Sequence, residues 1–262
     1  MSPISDNEPI VLRITLDDVI DALGKGLRDF QALPLYGLSF GGFYAAGGIV
    51  LVLGIAAFGM SYLAYPLAAG FALAGPFVAT ALCELSRQRE ARQRPSLDAT
   101  LAAIRNRRET GSMACVTVFT VMLGLYQAHL LMALFFGFDK SFSSPQQFIA
   151  TALTTNEGLA FFAAANLAGG ALSLILFSVT VVSFPLLLDR DDVDCTTAMI
   201  TSVRAVATNP VPMIGWAVLA TMLMAVSALP FFLSLMVTLP VLGHANWHLY
   251  RRVIARPIAS AH

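Results

Sequence analysis

Two histidines near the carboxyl end of the chain have the spacing of a metal-chelating pair. His244 and His248 are four residues apart, which places both side chains on one face of a helix, one turn apart. Metal binding would need a further ligand from another segment of the chain. The residues at a similar predicted depth in the membrane are Cys83, Glu84, Cys115 and Cys195.

The residues around the two histidines favour a different role. Trp247 and Tyr250 are followed directly by arginines, and this mixture is typical of the headgroup layer of a bilayer. An imidazole at that level is solvated and anchors its helix. We therefore expect no metal, no haem and no other cofactor, and a metal or haem site that uses His244 and His248 stays the alternative.

A second candidate site lies inside apolar sequence. His129 and Asn166 fall at a similar depth on two neighbouring antiparallel segments. A polar side chain in hydrocarbon needs a partner, because an unpaired polar group is costly there. We expect a hydrogen bond between His129 and Asn166, and the alternative is that His129 ligates iron or another metal.

The composition indicates which kind of structure must position these residues. Of the 262 residues, 57% are hydrophobic and only 12% are charged, whereas about 25% of an ordinary soluble domain is charged. A soluble globule and a disordered chain are both excluded, since each needs more charge. The net charge of zero gives no indication of a nucleic-acid partner. The remaining class is a polytopic membrane protein in contact with lipids.

Six stretches are apolar enough, and about long enough, to span a bilayer, which takes roughly 20 residues. They are residues 36–58, 62–83, 113–137, 160–188, 212–229 and 231–250, and the last two are separated at Ala228-Leu229-Pro230. We predict an all-α bundle of six transmembrane helices. Of the 16 Lys and Arg residues, all but Lys140 lie on one side of these spans. Both termini are therefore expected in the cytoplasm and residues 143–157 in the periplasm of a bacterial inner membrane.

The interior of these spans contains no Asp, Glu, Lys or Arg. Proton pumps and ion-coupled transporters place such residues within their spans. Sequence motifs of nucleotide binding and of standard hydrolysis are missing as well. We therefore expect no catalytic residues and no enzyme.

The polar segments between the spans share a pattern. Capping residues near Thr15, Ser96 and Asp192 each precede a short amphipathic stretch, which predicts three helices in the cytoplasmic interface. The match of Arg28 and Pro34 with Arg204 and Pro210 suggests a threefold internal repeat. Its units are residues 15–88, 95–190 and 191–256 of a single membrane domain that covers residues 1–262.

Two further patterns concern packing and lipid contact. Gly37, Gly41 and Ala45 recur at every fourth position, which predicts a helix-packing face on the first span. A basic loop is expected to fix the topology and to face anionic lipid or an acidic partner. Its arginines are Arg87, Arg89, Arg92, Arg94, Arg105, Arg107 and Arg108. Ser144 and Pro145 have the pattern of a helix start on the opposite side.

Four blocks carry a resemblance to a known family: residues 34–38, 183–190, 209–213 and 240–251. The chain resembles, in these blocks, an uncharacterised bacterial multi-pass integral membrane family whose members are often labelled cytochrome c oxidase subunit I-like. The catalytic oxidase subunit needs more histidine ligands than the four histidines present here. Together with the charge-free spans and the small-residue packing face, the oxidase-like label favours a non-catalytic accessory subunit or assembly factor of a membrane complex, such as a respiratory one. A passive transporter or channel for a small, weakly polar solute is the alternative function.

Overall fold

The chain is helical in the computed structural model, which describes residues 9–58, 64–106, 108–137, 142, 145–229 and 232–255. The helices are α1 (Leu16–Ala32), α2 (Pro34–Phe58), α3 (Ala64–Glu90), α4 (Leu97–Asn106), α5 (Arg108–Phe136), α6 (Pro145–Thr154), α7 (Asn156–Thr180), α8 (Ser183–Asp189), α9 (Cys195–Thr208), α10 (Pro210–Ala228) and α11 (Leu235–Val253). Within the described ranges, the only β-type pairing is an isolated bridge between Val11 and Ile254. The predicted all-α class is confirmed.

Among the residues that the structure describes, four segments are long and apolar enough to cross a membrane: Pro34–Gly54, Cys115–Phe136, Asn156–Asp189 and Pro210–Ala228. They correspond to the first, third, fourth and fifth predicted spans. The second and sixth predicted spans fall in α3 and α11, which end in charged turns that contain Arg87, Arg89, Arg251 and Arg252. The finding supports a multi-pass membrane protein, and the six-span arrangement stays a prediction.

The three short amphipathic helices are present as α1, α4 and α9. Thr15 and Asp18 form a reciprocal capping box at the start of α1, in which the Asp18 carboxylate accepts the Thr15 backbone N–H at 2.9 Å. The Asp194 side chain caps α9 by accepting the Thr197 N–H at 3.2 Å. Local capping chemistry therefore located these helix starts correctly, to within two residues for α9.

The chain divides into two compact units, and the first contains residues Met1–Ala114 and Ser178–His262. Helix α11 lies at the centre of this unit and packs against α1, α2, α3, α8 and α10. The ends of the unit are joined by backbone hydrogen bonds, from Leu12 N to Val253 O at 2.7 Å and from Ala255 N to Ile10 O at 3.0 Å. The unit boundaries do not follow the predicted repeats, so the threefold repeat also stays a prediction.

Two glycines allow helix backbones to approach α11 closely. A Cβ atom on Gly26 of α1 would lie 2.6 Å from both Ala245 N and Val241 O, and a Cβ on Gly41 of α2 would lie 2.6 Å from Met236 Cα. Real Cβ contacts are longer, so only glycine fits at these two crossings. The small residues of the first span therefore form a packing face, as expected.

The second unit comprises Cys115–Phe177 and includes most of α5, α6 and most of α7. Five phenylalanines from these segments form a cluster with ring centroids 5.1–6.1 Å apart, consisting of Phe135, Phe136, Phe142, Phe148 and Phe161. Helix α6 begins at Pro145, as the sequence predicted. Ser144, its expected capping residue, lies outside the described residues.

Candidate functional site: a buried ionic cluster

A buried ionic cluster joins three helices of the first unit. We call it the Asp29 cluster; its members are Asp29 of α1, Ser86 and Arg89 of α3, and His244 and His248 of α11. The Asp29 residue is 6% exposed and Ser86 is 1% exposed, which is unusual for such polar groups. Burial of an ionisable residue is tolerated when it is paired and hydrogen-bonded.

Asp29 receives hydrogen bonds on both carboxylate oxygens. Its Oδ2 accepts from Ser86 Oγ and from His248 Nε2, each at 2.7 Å, and Arg89 donates to Oδ1. Burial alone would raise the pKa of Asp29, but the hydrogen bonds from His248 and Ser86 outweigh burial and lower its pKa below the ordinary value. The carboxylate is therefore ionised at neutral pH.

His244 occupies the innermost position of the cluster and is fully buried. Its Nδ1 lies 2.8 Å from Ser86 Oγ. Because the Ser86 hydroxyl gives its single proton to Asp29, Nδ1 of His244 is the donor in this contact. In the neutral ring Nε2 then carries a lone pair, and among the described residues it is the buried side-chain atom without a hydrogen-bond partner.

Helical spacing explains how the sequence assembles the cluster. Ala22, Gly26 and Asp29 recur at i, i+4 and i+7, so Asp29 lies on the face of α1 that packs against α11. The absence of a side chain at Gly26 brings that face close to α11. This spacing was a signal that sequence reasoning missed, because an acidic residue on a buried helix face must have partners.

The two aromatic residues near the carboxyl end of α11 are buried, which corrects the prediction that they form an exposed headgroup anchor. Trp247 is 1% exposed and Tyr250 is 2% exposed. Trp247 Nε1 donates to Glu90 at 2.9 Å, while Tyr250 Oη and Arg251 Nη1 donate to Asp189 at 2.7 and 3.0 Å. The side chains of this turn contact α3 and α8 because those helices surround the end of α11.

Within the first unit, the candidate metal ligands are not brought together around the histidines. Cys83 is buried and its Sγ contacts the Gly243 carbonyl at 3.5 Å. Cys195 contacts Met199, and Cys115 belongs to the second unit. In the part of the chain that the structure describes, no three His, Cys, Asp or Glu side chains are arranged to hold a metal ion.

The predicted hydrogen bond between His129 and Asn166 does not form. Both residues are exposed, and the Asn166 side chain donates instead to the Phe162 carbonyl of its own helix at 2.8 Å. An amide can reach the carbonyl one turn earlier without any second helix, so it does not require His129. His129 contacts no hydrogen-bonding partner among the described residues.

The basic loop is partly folded into the protein. Arg87 forms two hydrogen bonds of 2.7 Å with Glu84, which also accepts from Gln88 at 3.0 Å, and Arg89 belongs to the Asp29 cluster. Because α3 continues through Glu90, it carries both arginines into the first unit, where each has a carboxylate partner. The Arg89 side chain stays partly exposed, and its contact with lipid or with a partner remains a prediction. Arg92, Arg94 and Arg105 are exposed. Arg107 and the side chain of Arg108 lie outside the described residues.

Comparison with known proteins gives one family match. Residues 64–189 match the family model described as "Predicted integral membrane protein (DUF2189)". The matched segment includes Ser86 and Arg89 of the Asp29 cluster. Neither the search of curated proteins nor the search of solved structures gave a match. Together with the four apolar segments of the described residues, the family match supports an integral, multi-pass membrane protein, and the oxidase-like label is not shown.

Proposed function

We propose that the protein is a non-catalytic accessory subunit or assembly factor of a larger complex in the bacterial inner membrane. The observation that carries the proposal is the exposure of His129 and Asn166 inside two membrane-spanning segments. Polar residues at this depth are costly next to lipid and usually face protein. A neighbouring membrane protein that covers them would give His129 a hydrogen-bond partner and would keep both side chains away from lipid.

The surroundings of His129 support a protein contact. Phe119, Met122 and Tyr126 precede it at helical spacing, so the four side chains share one face of α5. The three apolar residues are 69%, 62% and 65% exposed. Aromatic residues and Met are enriched in protein interfaces. A stripe that combines them with an imidazole fits a partner helix better than it fits acyl chains alone.

The Asp29 cluster supports the non-catalytic part of the proposal. Ser86 and His244 are in hydrogen-bond contact, as in a nucleophile and its base, but both side chains are buried and the Ser86 hydroxyl gives its proton to Asp29. Asp29 contacts Ser86 rather than the second nitrogen of His244, so it does not orient that ring as a catalytic carboxylate would. These contacts connect three helices and therefore fit a structural role.

A passive transporter is the second candidate function, and one feature favours it. A groove of about 400 Å³ lies between α1, α10 and α11. Its walls include Ile20, Leu23, Leu27, Leu223 and Val241, and they are nearly all apolar. Such a groove fits a small, weakly polar molecule, and Thr238 is the polar side chain among its lining residues.

Site-specific photocrosslinking would test the accessory-subunit proposal. A photoreactive amino acid is placed at His129 or at Asn166 in the native cells, followed by mild solubilisation and purification. Ile175 is the matched control, because it is 62% exposed and lies nine residues from Asn166, on the opposite side of α7. We expect crosslinks from His129 and Asn166 to one membrane protein that co-purifies at fixed stoichiometry.

Two outcomes would contradict the proposal. Crosslinks from His129 that map to this same chain would show that the protein covers its own polar residues. Equal crosslinking from Ile175 would show that the captured protein is a random neighbour. Uptake of a small solute by vesicles that contain the purified protein alone would favour the transporter.

A further inference from the structure

A polar cleft opens beside the Asp29 cluster, on the side of α1 that faces away from the apolar groove. Its volume is about 360 Å³. Helix α1 contributes Lys25 and Arg28, α3 contributes Arg89 and Glu90, and α11 contributes His248. Asp29 and Ser86 complete the lining. Three permanent cations therefore border one cleft in a chain that contains few charges.

The two acidic residues of the cleft are already paired. Asp29 accepts from Arg89 and His248, as described above. Glu90 accepts from Trp247 Nε1 at 2.9 Å and from Arg251 Nη2 at 3.1 Å. Because Arg251 is outside the cleft lining, its charge offsets Glu90 without using a cation of the cleft. Asp29 therefore offsets the charge of Arg89, whereas neither acidic residue is paired with Lys25 or Arg28.

The cations at the entrance are only partly paired. Lys25 lies 2.9 Å from Asp21, which also contacts Arg252. Arg28 is exposed, and its guanidinium forms no hydrogen bond or ion pair with the residues that the structure describes. Arg89 is held in place by Asp29 and by the Arg28 carbonyl, to which Nη1 donates at 3.2 Å. The cleft thus combines a fixed guanidinium with a free one.

This combination matches the chemistry of a phosphate group. A guanidinium presents a planar set of N–H donors that binds phosphate in a bidentate manner, and an ammonium adds a point charge. Helix α1 is predicted in the cytoplasmic interface, where anionic lipids attract basic residues. A phosphate at this level is most readily presented by a lipid headgroup.

We propose that the cleft binds the phosphate of an anionic phospholipid headgroup, with Arg28, Lys25 and Arg89 as its donors. The proposal is independent of the accessory-subunit function and rests on the predicted membrane level of α1. The proposal differs from a general attraction of anionic lipids to the basic loop, because it assigns the binding of the lipid phosphate to one cleft. Arg105 of α4 is basic and exposed but does not line the cleft, so it distinguishes the two explanations.

Native mass spectrometry of the delipidated, detergent-purified protein tests the proposal. Phosphatidylglycerol is titrated against the wild type, Arg28→Gln, Lys25→Gln/Arg28→Gln and the control Arg105→Gln. A basic residue near an anionic lipid surface contributes about 1 kcal/mol, and about 1.4 kcal/mol is a factor of ten in affinity. We expect Kd to rise about fivefold for Arg28→Gln and about 25-fold for the double variant. Arg105→Gln should leave Kd within about twofold of the wild type, since screened surface charges contribute little.

Two further arms identify the source of the phosphate. Phosphatidylcholine should bind more weakly than phosphatidylglycerol and should respond less to the substitutions. Inorganic phosphate should not displace the lipid at millimolar concentration, and full displacement would overturn the lipid assignment. Equal weakening by Arg105→Gln and Arg28→Gln would overturn the cleft itself. The Arg28→Lys variant keeps the positive charge but loses the planar set of N–H donors, so it should bind with intermediate affinity. Because residue 28 is exposed, this substitution should not impair folding.

Discussion

The crossing of α1 and α11 is expected to tolerate no side chain at Gly26. In the Gly26→Ala variant, the new methyl group would lie 2.6 Å from Ala245 N and from Val241 O. Ordinary contacts of a Cβ atom begin at 3.4 Å, so the two helices would have to separate by roughly 0.8 Å. The nearest atoms belong to the α11 backbone, which cannot rotate away as a side chain would.

The magnitude follows from two opposing effects. Replacement of an interior helix glycine by alanine stabilises the helix by about 0.5–1 kcal/mol. Overpacking of a tight contact costs about 1–3 kcal/mol, and separation of the helices also weakens the Asp29 cluster. We therefore expect Gly26→Ala to lower the free energy of unfolding by about 1–2 kcal/mol. For a chain of this size, that corresponds to a fall in Tm of about 2–8 °C.

Gly24 provides the matched control, because it lies in the same helix and an added Cβ would meet no atom within 4 Å. Gly24→Ala should raise Tm by a few degrees, since it gains the helix propensity without a clash. Thermal unfolding of both variants in detergent, followed by circular dichroism, measures the difference. If Gly26→Ala is as stable as Gly24→Ala, the close approach of α1 to α11 is refuted.

Two further predictions concern the ionic cluster and the topology. Asp29→Asn should lower the free energy of unfolding by about 1–3 kcal/mol, because the partners of the carboxylate lose a charged acceptor. Because folding lowers the pKa of Asp29, the ionised carboxylate stabilises the fold. This stabilisation is fully present at a pH above the ordinary pKa of 3.8, and it is lost as the pH falls through the folded-state pKa. The free energy of unfolding of Asp29→Asn should therefore fall less steeply on acidification than that of the wild type. Parallel acid-unfolding curves for the two proteins would contradict this. For the topology, a cysteine at position 143 should react with an impermeant maleimide added to intact cells and a cysteine at position 96 should not; the reverse pattern would invert the orientation.

Local sequence signals predicted much of the helical pattern. The capping residues located α1, α4 and α9, and the proline-containing break located the turn between α10 and α11. The fourth predicted span was continuous, whereas the structure ends α7 at Thr180 and begins α8 at Ser183. The backbone N–H of Val182 is satisfied there by the Ser202 hydroxyl at 3.1 Å. A contact between residues that are 20 positions apart has no signature in hydrophobic periodicity, which explains the difference.

The candidate site was predicted only in part, because its geometry depends on three helices. The spacing of His244 and His248 correctly placed both on one face of α11. The solvation of His244 was predicted wrongly, because aromatic and apolar residues around it are typical of both a headgroup anchor and a buried helix. Whether the end of α11 is solvated or buried depends on the packing of α1 and α3 against it. Asp29 makes this packing specific, because it bonds to residues of both α3 and α11.

The Asp29 cluster is best understood as a device that fixes the position of α1. Packing of small and apolar side chains is not directional, and a bilayer adds no hydrophobic force between its helices. Asp29 instead accepts donors from α3 and from α11, so a displacement of α1 by one turn would break contacts with both helices at once. Loss of a single partner from a buried ion pair is strongly destabilising because it leaves an uncompensated charge. The same burial that makes the carboxylate costly therefore makes the position of α1 specific. That position also determines where Lys25 and Arg28 stand, at the entrance of the polar cleft.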